Sequence, residues 1–171
     1  MNDQSYKHFL SIMVDNEPGV LARVVGLFSG RGYNIESLSV SEVDSDKFLS
    51  RVTIVTSGSK IVIDQIKAQL KKLIPVRNLV DLTELESFLG KELILIKLEV
   101  KNSKIEKVND IINKFGAKIL FHQNAEIIIE FSGTQSEISK LIKNLRPHNI
   151  IEQTRSGLVS MALGKDYIKK G

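Results

Sequence analysis

The chain has 171 residues, of which 42% are hydrophobic and 26% are charged, and it contains no cysteine. This composition is typical of a folded globular protein with one medium or two small domains. It excludes a disordered chain, a disulfide-bonded scaffold and any cysteine-based metal or catalytic site. The net charge of +4 does not indicate a nucleic-acid-binding surface, because basic and acidic residues are interspersed along the predicted helices.

Two further exclusions concern membranes and metals. No run of about 20 apolar residues is present to span a bilayer, and the first residues lack a signal-peptide pattern, so we expect a cytoplasmic protein. The three histidines, His8, His122 and His148, lie far apart with no second ligand nearby in sequence. We therefore expect no metal site.

The first half of the chain shows alternating strand and helix patterns. Residues 7–15 read as a buried strand, and a helix then begins with Pro18 at its first position and ends at the glycines of 30–32. Its predicted core face carries Leu21, Val24, Val25 and Phe28. Strands 34–43 and 48–56 flank a turn at 44–46, with Ile35, Leu38, Val40, Phe48, Val52 and Ile54 facing inward. A second helix with Ile63, Ile66, Leu70 and Leu73 stops at Pro75, and strand 76–82 follows.

The second half repeats this order. A strand at 93–100 precedes a helix whose capping box is expected at Ser103 and Glu106, and a strand pair follows at 117–121 and 126–131. Thr134 and Glu137 cap the next helix, and residues 150–163 contain one or two short strands. The order β-α-β-β-α-β in each half predicts an α+β protein of two consecutive ferredoxin-like domains. We predict domains at 7–82 and 92–164, a linker at 83–91 and a tail at 165–171.

The turn at 16–19, Asn-Glu-Pro-Gly, is the predicted functional site. Gly19 leaves the backbone N–H groups at the helix start uncovered, so these groups and the positive helix end can hold a carboxylate. The side-chain amides of Asn16 and Asn34 can each donate and accept hydrogen bonds, and so suit the polar end of an amino acid. The alternative, in which the turn serves only to reverse the chain, stays open on these residues alone.

The second half provides an internal control. Its corresponding loop, 101–104, reads Lys-Asn-Ser-Lys, with no glycine and a basic side chain at the helix entrance. The exposed-backbone turn thus occurs once. This asymmetry favours a ligand role for the first half and a docking or scaffolding role for the second.

No catalytic constellation is visible in the sequence. The glycines of 26–32 fall at a helix end, where the dipole repels phosphate. An RNA-binding sheet is a weaker alternative, because strand 48–55 lacks interleaved aromatic and glycine residues. The open sheet edge predicts pairing with a second copy, which would form a groove between the Gly19 turn of one chain and the Asn34 region of the other.

Residues 15–40, DNEPGVLARVVGLFSGRGYNIESLSV, closely resemble the amino-terminal ACT domain of the regulatory, or small, subunit of acetohydroxyacid synthase, also called acetolactate synthase. The family pattern Asn-x-x-Gly-x-Leu-x-Arg, followed by Gly-Leu-Phe-x-x-Arg-Gly-Tyr-Asn-Ile-Glu-Ser-Leu, is met at every position. The segment Arg-Ser-Gly-Leu-Val at 155–159 resembles the end of the same subunits. The resemblance therefore covers nearly the whole chain.

The resemblance implies a non-catalytic regulatory subunit. It implies that Asn16, Gly19, Val20 and Leu21 of one chain, with Asn34 and Ile35 of its dimer mate, enclose valine or another branched-chain amino acid. It also implies activation of a catalytic large subunit that carries thiamine diphosphate, Mg2+ and FAD, with no cofactor in this chain. The competing hypothesis is a free-standing amino-acid sensor that regulates another enzyme or a transcription factor.

Overall fold

The computed structural model describes residues 5–164 and Ile168. Its contacts divide the chain into two compact units, one formed by residues up to 90 together with those from 158 onward, the other by residues 91–157. Apart from Ile168, the expected tail at 165–171 lies outside the described residues.

The first unit has the predicted ferredoxin-like order. Its elements are β1 (Tyr6–Asp15), α1 (Val20–Ser29), β2 (Ser37–Asp44), β3 (Leu49–Gly58), α2 (Lys60–Leu70) and β4 (Val76–Asp81). The four strands pair antiparallel in the order β2-β3-β1-β4, which leaves β2 and β4 at the edges of this sheet. The element order and the sheet confirm the predicted fold of this half.

The core of the first unit lies between one face of this sheet and the two helices. Alternation along β1 and β3 sends Leu10, Ile12, Val52 and Ile54 to that face, and all four are buried. The predicted inward residues of α2, Ile63, Ile66 and Leu70, are confirmed as buried, and Leu73 packs partly buried against them. Phe28 of α1 is completely buried in the same cluster.

The predicted core face of α1 is partly wrong. Val20, Val24 and Phe28 form the buried stripe, because residues four apart lie one above the other on a helix. Leu21 lies about 100° further round the helix and is 39% exposed. Val25, also predicted to face the core, is only half-buried.

The predicted inward set of the β2–β3 hairpin also needs correction. Val52 and Ile54 are buried and Leu38 is half-buried, as expected. Phe48, in contrast, is 69% exposed, because it lies in the turn with a φ of 50° rather than in the strand. Val40 is 43% exposed, because it lies on an edge strand that no other strand covers.

Residues 158–162, which include the chain's last described strand, β9 (Val159–Ala162), make hydrogen bonds to side chains of β2 and β3 in the first sheet. The Ser39 hydroxyl donates to the Leu158 carbonyl at 2.7 Å, and the Leu158 N–H donates to the Ser37 hydroxyl at 3.3 Å. Ile168 adds an apolar contact with Met13 and Leu49. Residues 158 onward are thereby grouped with the first unit.

The second unit repeats the architecture. Its elements are β5 (Phe88–Glu99), which begins before the unit's first residue, α3 (Ile105–Phe115), β6 (Lys118–Gln123), β7 (Glu126–Gly133), α4 (Gln135–Leu145) and β8 (Ile150–Arg155). The sheet order is β6-β7-β5-β8, the same as in the first unit. Its core is built from the apolar faces of α3 and α4 against the sheet, with Ile96, Val108, Ile129 and Leu141 among the fully buried residues.

The two helix starts of the second unit differ from each other. The predicted capping box of α4 is confirmed, since the Thr134 N–H donates to Glu137 Oε2 at 2.7 Å and the Glu137 N–H donates to Thr134 Oγ1 at 3.3 Å. The capping box expected at Ser103 is wrong. A 3₁₀ turn over Asn102–Lys104 precedes α3 instead, which moves the cap position to Lys104.

Candidate functional site

The turn between β1 and α1 ends in a residue with left-handed backbone angles. Gly19 has φ 81° and ψ −5° and occupies the N-cap of α1, so the prediction that Pro18 is the first helical residue is wrong. The Val20 N–H closes the turn on the Glu17 carbonyl at 3.3 Å, and the Arg23 N–H makes the first helical bond to the Gly19 carbonyl at 3.1 Å. A positive φ at this cap favours glycine, which has no Cβ to clash.

The turn leaves three backbone donors free at the positive end of α1. Within the part of the chain that the structure describes, the N–H groups of Gly19, Leu21 and Ala22 donate to no protein acceptor. No acidic residue stands in the first turn of the helix, so nothing on α1 itself neutralises this end. A Cβ placed on Gly19 would meet no atom within 4 Å, which shows that the backbone here faces open space.

The turn differs in one respect from the arrangement expected from the sequence. The sequence predicts that the N–H groups at the helix start hold a carboxylate, yet the Val20 N–H is used within the turn and the Val20 side chain is buried. Leu21 supplies a free N–H in its place. Its side chain, 39% exposed, stands next to the free donors.

Asn16 holds the turn against the hairpin of the same unit. Its N–H donates to the Phe48 carbonyl at 2.6 Å, and its side-chain Nδ2 donates to Glu42 Oε2 at 2.8 Å. Glu42, on the edge strand β2, was not among the residues predicted from the sequence. No local pattern marks it, because its proximity to Asn16 depends on the pairing of β2 with β3.

The charge of Asp15, just before the turn, is already balanced. Arg77 Nε donates to Asp15 Oδ1 at 2.6 Å, and this hydrogen bond raises the pKa of Arg77 above its usual value. The Asp15 N–H donates to the Pro75 carbonyl at 2.9 Å. The Asp15 carboxylate, which precedes the turn, is therefore paired on the β4 side.

The predicted site residues fall into two groups, the turn residues from Asn16 to Leu21 and a second group, Asn34 and Ile35. This second group lies between the end of α1 and β2. Gly32, with φ 70°, ends the helix in a Schellman motif in which the Tyr33 N–H bonds the Phe28 carbonyl at 3.0 Å. The Asn34 carbonyl accepts from the buried Thr56 hydroxyl at 2.7 Å, while its side chain is exposed. Ile35 is half-buried at the margin of the core.

Glu36 adds a permanent negative charge to this second group. Hydrogen bonds from the Ser57 hydroxyl and from Lys7 lower its pKa below the usual value for a glutamate. The Lys7 ammonium lies 2.9 Å from its carboxylate. The residues beside Asn34 therefore include a carboxylate that stays ionised at neutral pH.

The two predicted groups lie at opposite ends of the first sheet. Asn16 bonds at the start of β3, next to Leu49, whereas Asn34 bonds at Thr56, near its end. The rise of an antiparallel strand makes this separation roughly 23 Å. One chain therefore brings Asn16, Gly19, Val20 and Leu21 together and keeps Asn34 and Ile35 apart from them.

Metal-binding clusters and membrane-spanning helices are both absent from the part of the chain that the structure describes. Among residues 5–164 and Ile168, no cluster of three or more histidine, aspartate or glutamate side chains has the arrangement of a metal site. None of the helices in the described ranges is long and apolar enough to cross a bilayer.

Comparisons with known proteins cover both halves of the chain. Residues 10–78 match the family model of the AHAS small subunit-like ACT domain, AHAS being acetohydroxyacid synthase, and residues 91–164 match the model of the small subunit of acetolactate synthase. A probable acetolactate synthase small subunit from Archaeoglobus fulgidus is 40% identical over 158 residues, which cover 92% of this chain and 98% of that protein.

A second relative and a solved structure agree with these matches. The acetolactate synthase small subunit of Buchnera aphidicola is 43% identical over 157 residues, covering 91% of this chain and 98% of the relative. The crystal structure of the acetolactate synthase small subunit from Thermotoga maritima superimposes with a TM-score of 0.83 at 32% identity, covering 91% of this chain and 96% of that one. The chain belongs to the family of acetolactate synthase small subunits, which are regulatory subunits with an ACT domain.

Proposed function

We propose that this chain activates the catalytic large subunit of acetolactate synthase and confers feedback inhibition by valine on it. The observation that carries the proposal is the Gly19 turn, which presents backbone N–H groups without a protein acceptor among the described residues at the positive end of α1, whose first turn contains no acidic residue. A carboxylate of an amino acid is the kind of ligand that such a helix end favours. Membership of the small-subunit family supports the same role.

The turn offers complementary groups for both charged ends of valine. The carboxylate would accept from the N–H groups of Gly19 and Leu21. The ammonium would donate to the Asn16 side-chain oxygen and to the Glu42 carboxylate, since the Asn16 Nδ2 already donates to Glu42 and so fixes which atom of the amide faces outward. The isopropyl group would then contact the exposed part of Leu21.

A two-fold dimer through the edge strand β2 would complete the site. Antiparallel pairing of two β2 strands places the Asp44 end of one beside the Ser37 end of the other, and so brings Asn16 and Glu42 towards the partner's Asn34 and Ile35. Val40 and Val43, which are 43% and 40% exposed on this strand, would be covered by the same pairing. This arrangement accounts for the wide separation of the two groups within one chain.

Regulation would follow from the position of valine between two chains. A ligand that contacts both protomers stabilises the dimer geometry in which both contacts are made, and coupling between sites of this kind is typically about 1–3 kcal/mol. We propose that the ACT domain, 7–82, binds the effector and forms the dimer. The domain at 92–164 would serve docking or scaffolding, and the catalytic subunit would supply thiamine diphosphate, Mg2+ and FAD in the cytoplasm.

Reconstitution with the catalytic subunit of the same organism tests this function. We expect this chain to raise the rate of acetolactate formation and to make the rate fall with added valine, while the chain alone forms no acetolactate. Leucine and isoleucine should inhibit more weakly, because a pocket discriminates a methylene by about 1–3 kcal/mol. An unchanged rate and no response to valine would refute the proposal, as would turnover by the isolated chain.

A further inference from the structure

The second unit contains a cavity at the position that corresponds to the Gly19 turn of the first unit. The Glu99 N–H donates to the Asn149 carbonyl at 3.1 Å and the Val100 N–H donates to the Ala125 carbonyl at 2.7 Å, as Asp15 and Asn16 do in the first unit. The cavity measures about 290 Å³. Its walls come from the end of β5, the loop before α3, the β6–β7 turn and the segment before β8, namely Glu99, Val100, Lys101, Lys104, Ala125, Pro147, His148 and Asn149.

Three lysines lie in or near this cavity. Lys101 and Lys104 line it, and Lys107 follows one turn further along α3. Within residues 5–164, none of these three lysines forms an ion pair. Like charges repel one another, so lysine side chains that make no ion pair favour the approach of an anion.

Two carboxylates lie in the same region. Glu99 lines the cavity, but its Oε2 accepts a hydrogen bond from Asn149 Nδ2 at 3.0 Å, which holds it on the β8 side. Glu106 stands in the first turn of α3. Neither removes the positive field at the imidazole of His148, whose pKa is lowered by burial and by the ammonium groups of Lys104 and Lys107.

His148 supplies an unused hydrogen-bonding atom. Its Nδ1 is buried and has no partner among the described residues. Buried polar atoms in folded proteins are nearly always hydrogen-bonded to protein, water or ligand, and one left unpaired costs free energy. A group that enters the cavity can satisfy this nitrogen.

We propose that this cavity binds the phosphate group of a small molecule. A phosphate carries more charge than a carboxylate and presents oxygens in several directions, which suits the ammonium groups of Lys101 and Lys104 together with an imidazole N–H. The first unit, in contrast, offers backbone N–H groups and the positive end of a helix, which suit the single charge of an amino-acid carboxylate. The two halves would then respond to different ligands.

Titration of the full chain with inorganic phosphate at constant ionic strength tests the proposal, with the ring signals of the three histidines followed by NMR. We expect phosphate to raise the pKa of His148, because a nearby anion offsets the lysines, and to leave His8 and His122 unchanged. A parallel titration with glycerol phosphate distinguishes a phosphate ester from free inorganic phosphate as the ligand. Tighter binding of the ester indicates a phosphorylated metabolite, and equal binding indicates free phosphate.

Lys104→Gln and Lys114→Gln form a matched pair for this experiment, since Lys104 is the N-cap residue of α3 at the cavity and Lys114 stands in the last turn of the same helix. Lys104→Gln should weaken phosphate binding by about fivefold and raise the pKa of His148 in the absence of phosphate. Lys114→Gln should do neither. Equal shifts of all three histidines, or equal phosphate affinity in the two variants, would mean an adventitious ion only and would overturn the proposal. Valine inhibition of the reconstituted enzyme is measured separately, so a failure of phosphate binding would leave the proposed function intact.

Discussion

Gly19→Asp is expected to abolish inhibition by valine while leaving the first unit folded. The added carboxylate would lie beside the free N–H groups that the effector's own carboxylate needs. Two like charges about 4 Å apart near a protein surface repel by up to about 4 kcal/mol, and even half of this weakens binding about 30-fold. The fold should persist, because a Cβ at Gly19 meets no atom within 4 Å and aspartate tolerates a positive φ better than most residues.

Gly19→Asn is the matched control for this variant. Asparagine has nearly the same shape as aspartate and tolerates the same φ, but it carries no charge. The half-inhibitory concentration of valine in the reconstituted enzyme, with the circular dichroism spectrum of each variant, gives the comparison. Inhibition that persists in Gly19→Asp, or an equal loss in both folded variants, would contradict the electrostatic role of the turn.

Phe28→Ala is expected to lower the free energy of unfolding of the first unit by about 3–5 kcal/mol, the usual cost of removing a fully buried aromatic ring. Phe28 is 0% exposed and lies at the centre of the cluster formed by α1, α2 and the sheet. The same helix supplies the free donors of the turn. Loss of its packing should therefore weaken valine binding as well as stability.

Phe48→Ala provides the comparison for this prediction. Phe48 is 69% exposed, so its truncation should change stability by no more than about 0.5 kcal/mol. Urea denaturation measures both variants, and hydrogen exchange at the amides of β1 and β3 locates the loss. Similar stabilities for the two variants would show that Phe28 does not pack as described.

The periodicity of the sequence was sufficient to predict both ferredoxin-like repeats. Where the periodicity predicted the wrong side chains to be buried, the backbone at the end of a helix or strand explains the difference. The stripe of α1 runs through Val20 rather than Leu21, because the helix begins after a left-handed glycine that shifts its first residue. Phe48 is similarly exposed because it lies in the hairpin turn with a positive φ, although its position in the sequence fits the alternation of the strand.

The candidate site was predictable only where it is local in sequence. The residues of the Asn16–Gly19 turn adjoin one another along the chain, and the structure brings them together as expected. Glu42 could not be found, because its contact with Asn16 depends on the register of β2. The use of the Val20 N–H within the turn depends on the backbone angles of Gly19, which the residue type permits but does not require.

We propose that each valine site is shared between two chains, and mixed dimers test this arrangement most directly. Gly19→Asp and Asn34→Ala should each abolish valine binding in calorimetry when present alone. After the two variants are unfolded together and refolded, half of the dimers combine one chain of each, and a two-fold arrangement leaves one intact site in every mixed dimer. We predict recovery of about one quarter of the wild-type binding sites. No recovery, in a mixture shown to contain mixed dimers, would place the whole site within one chain and contradict the account.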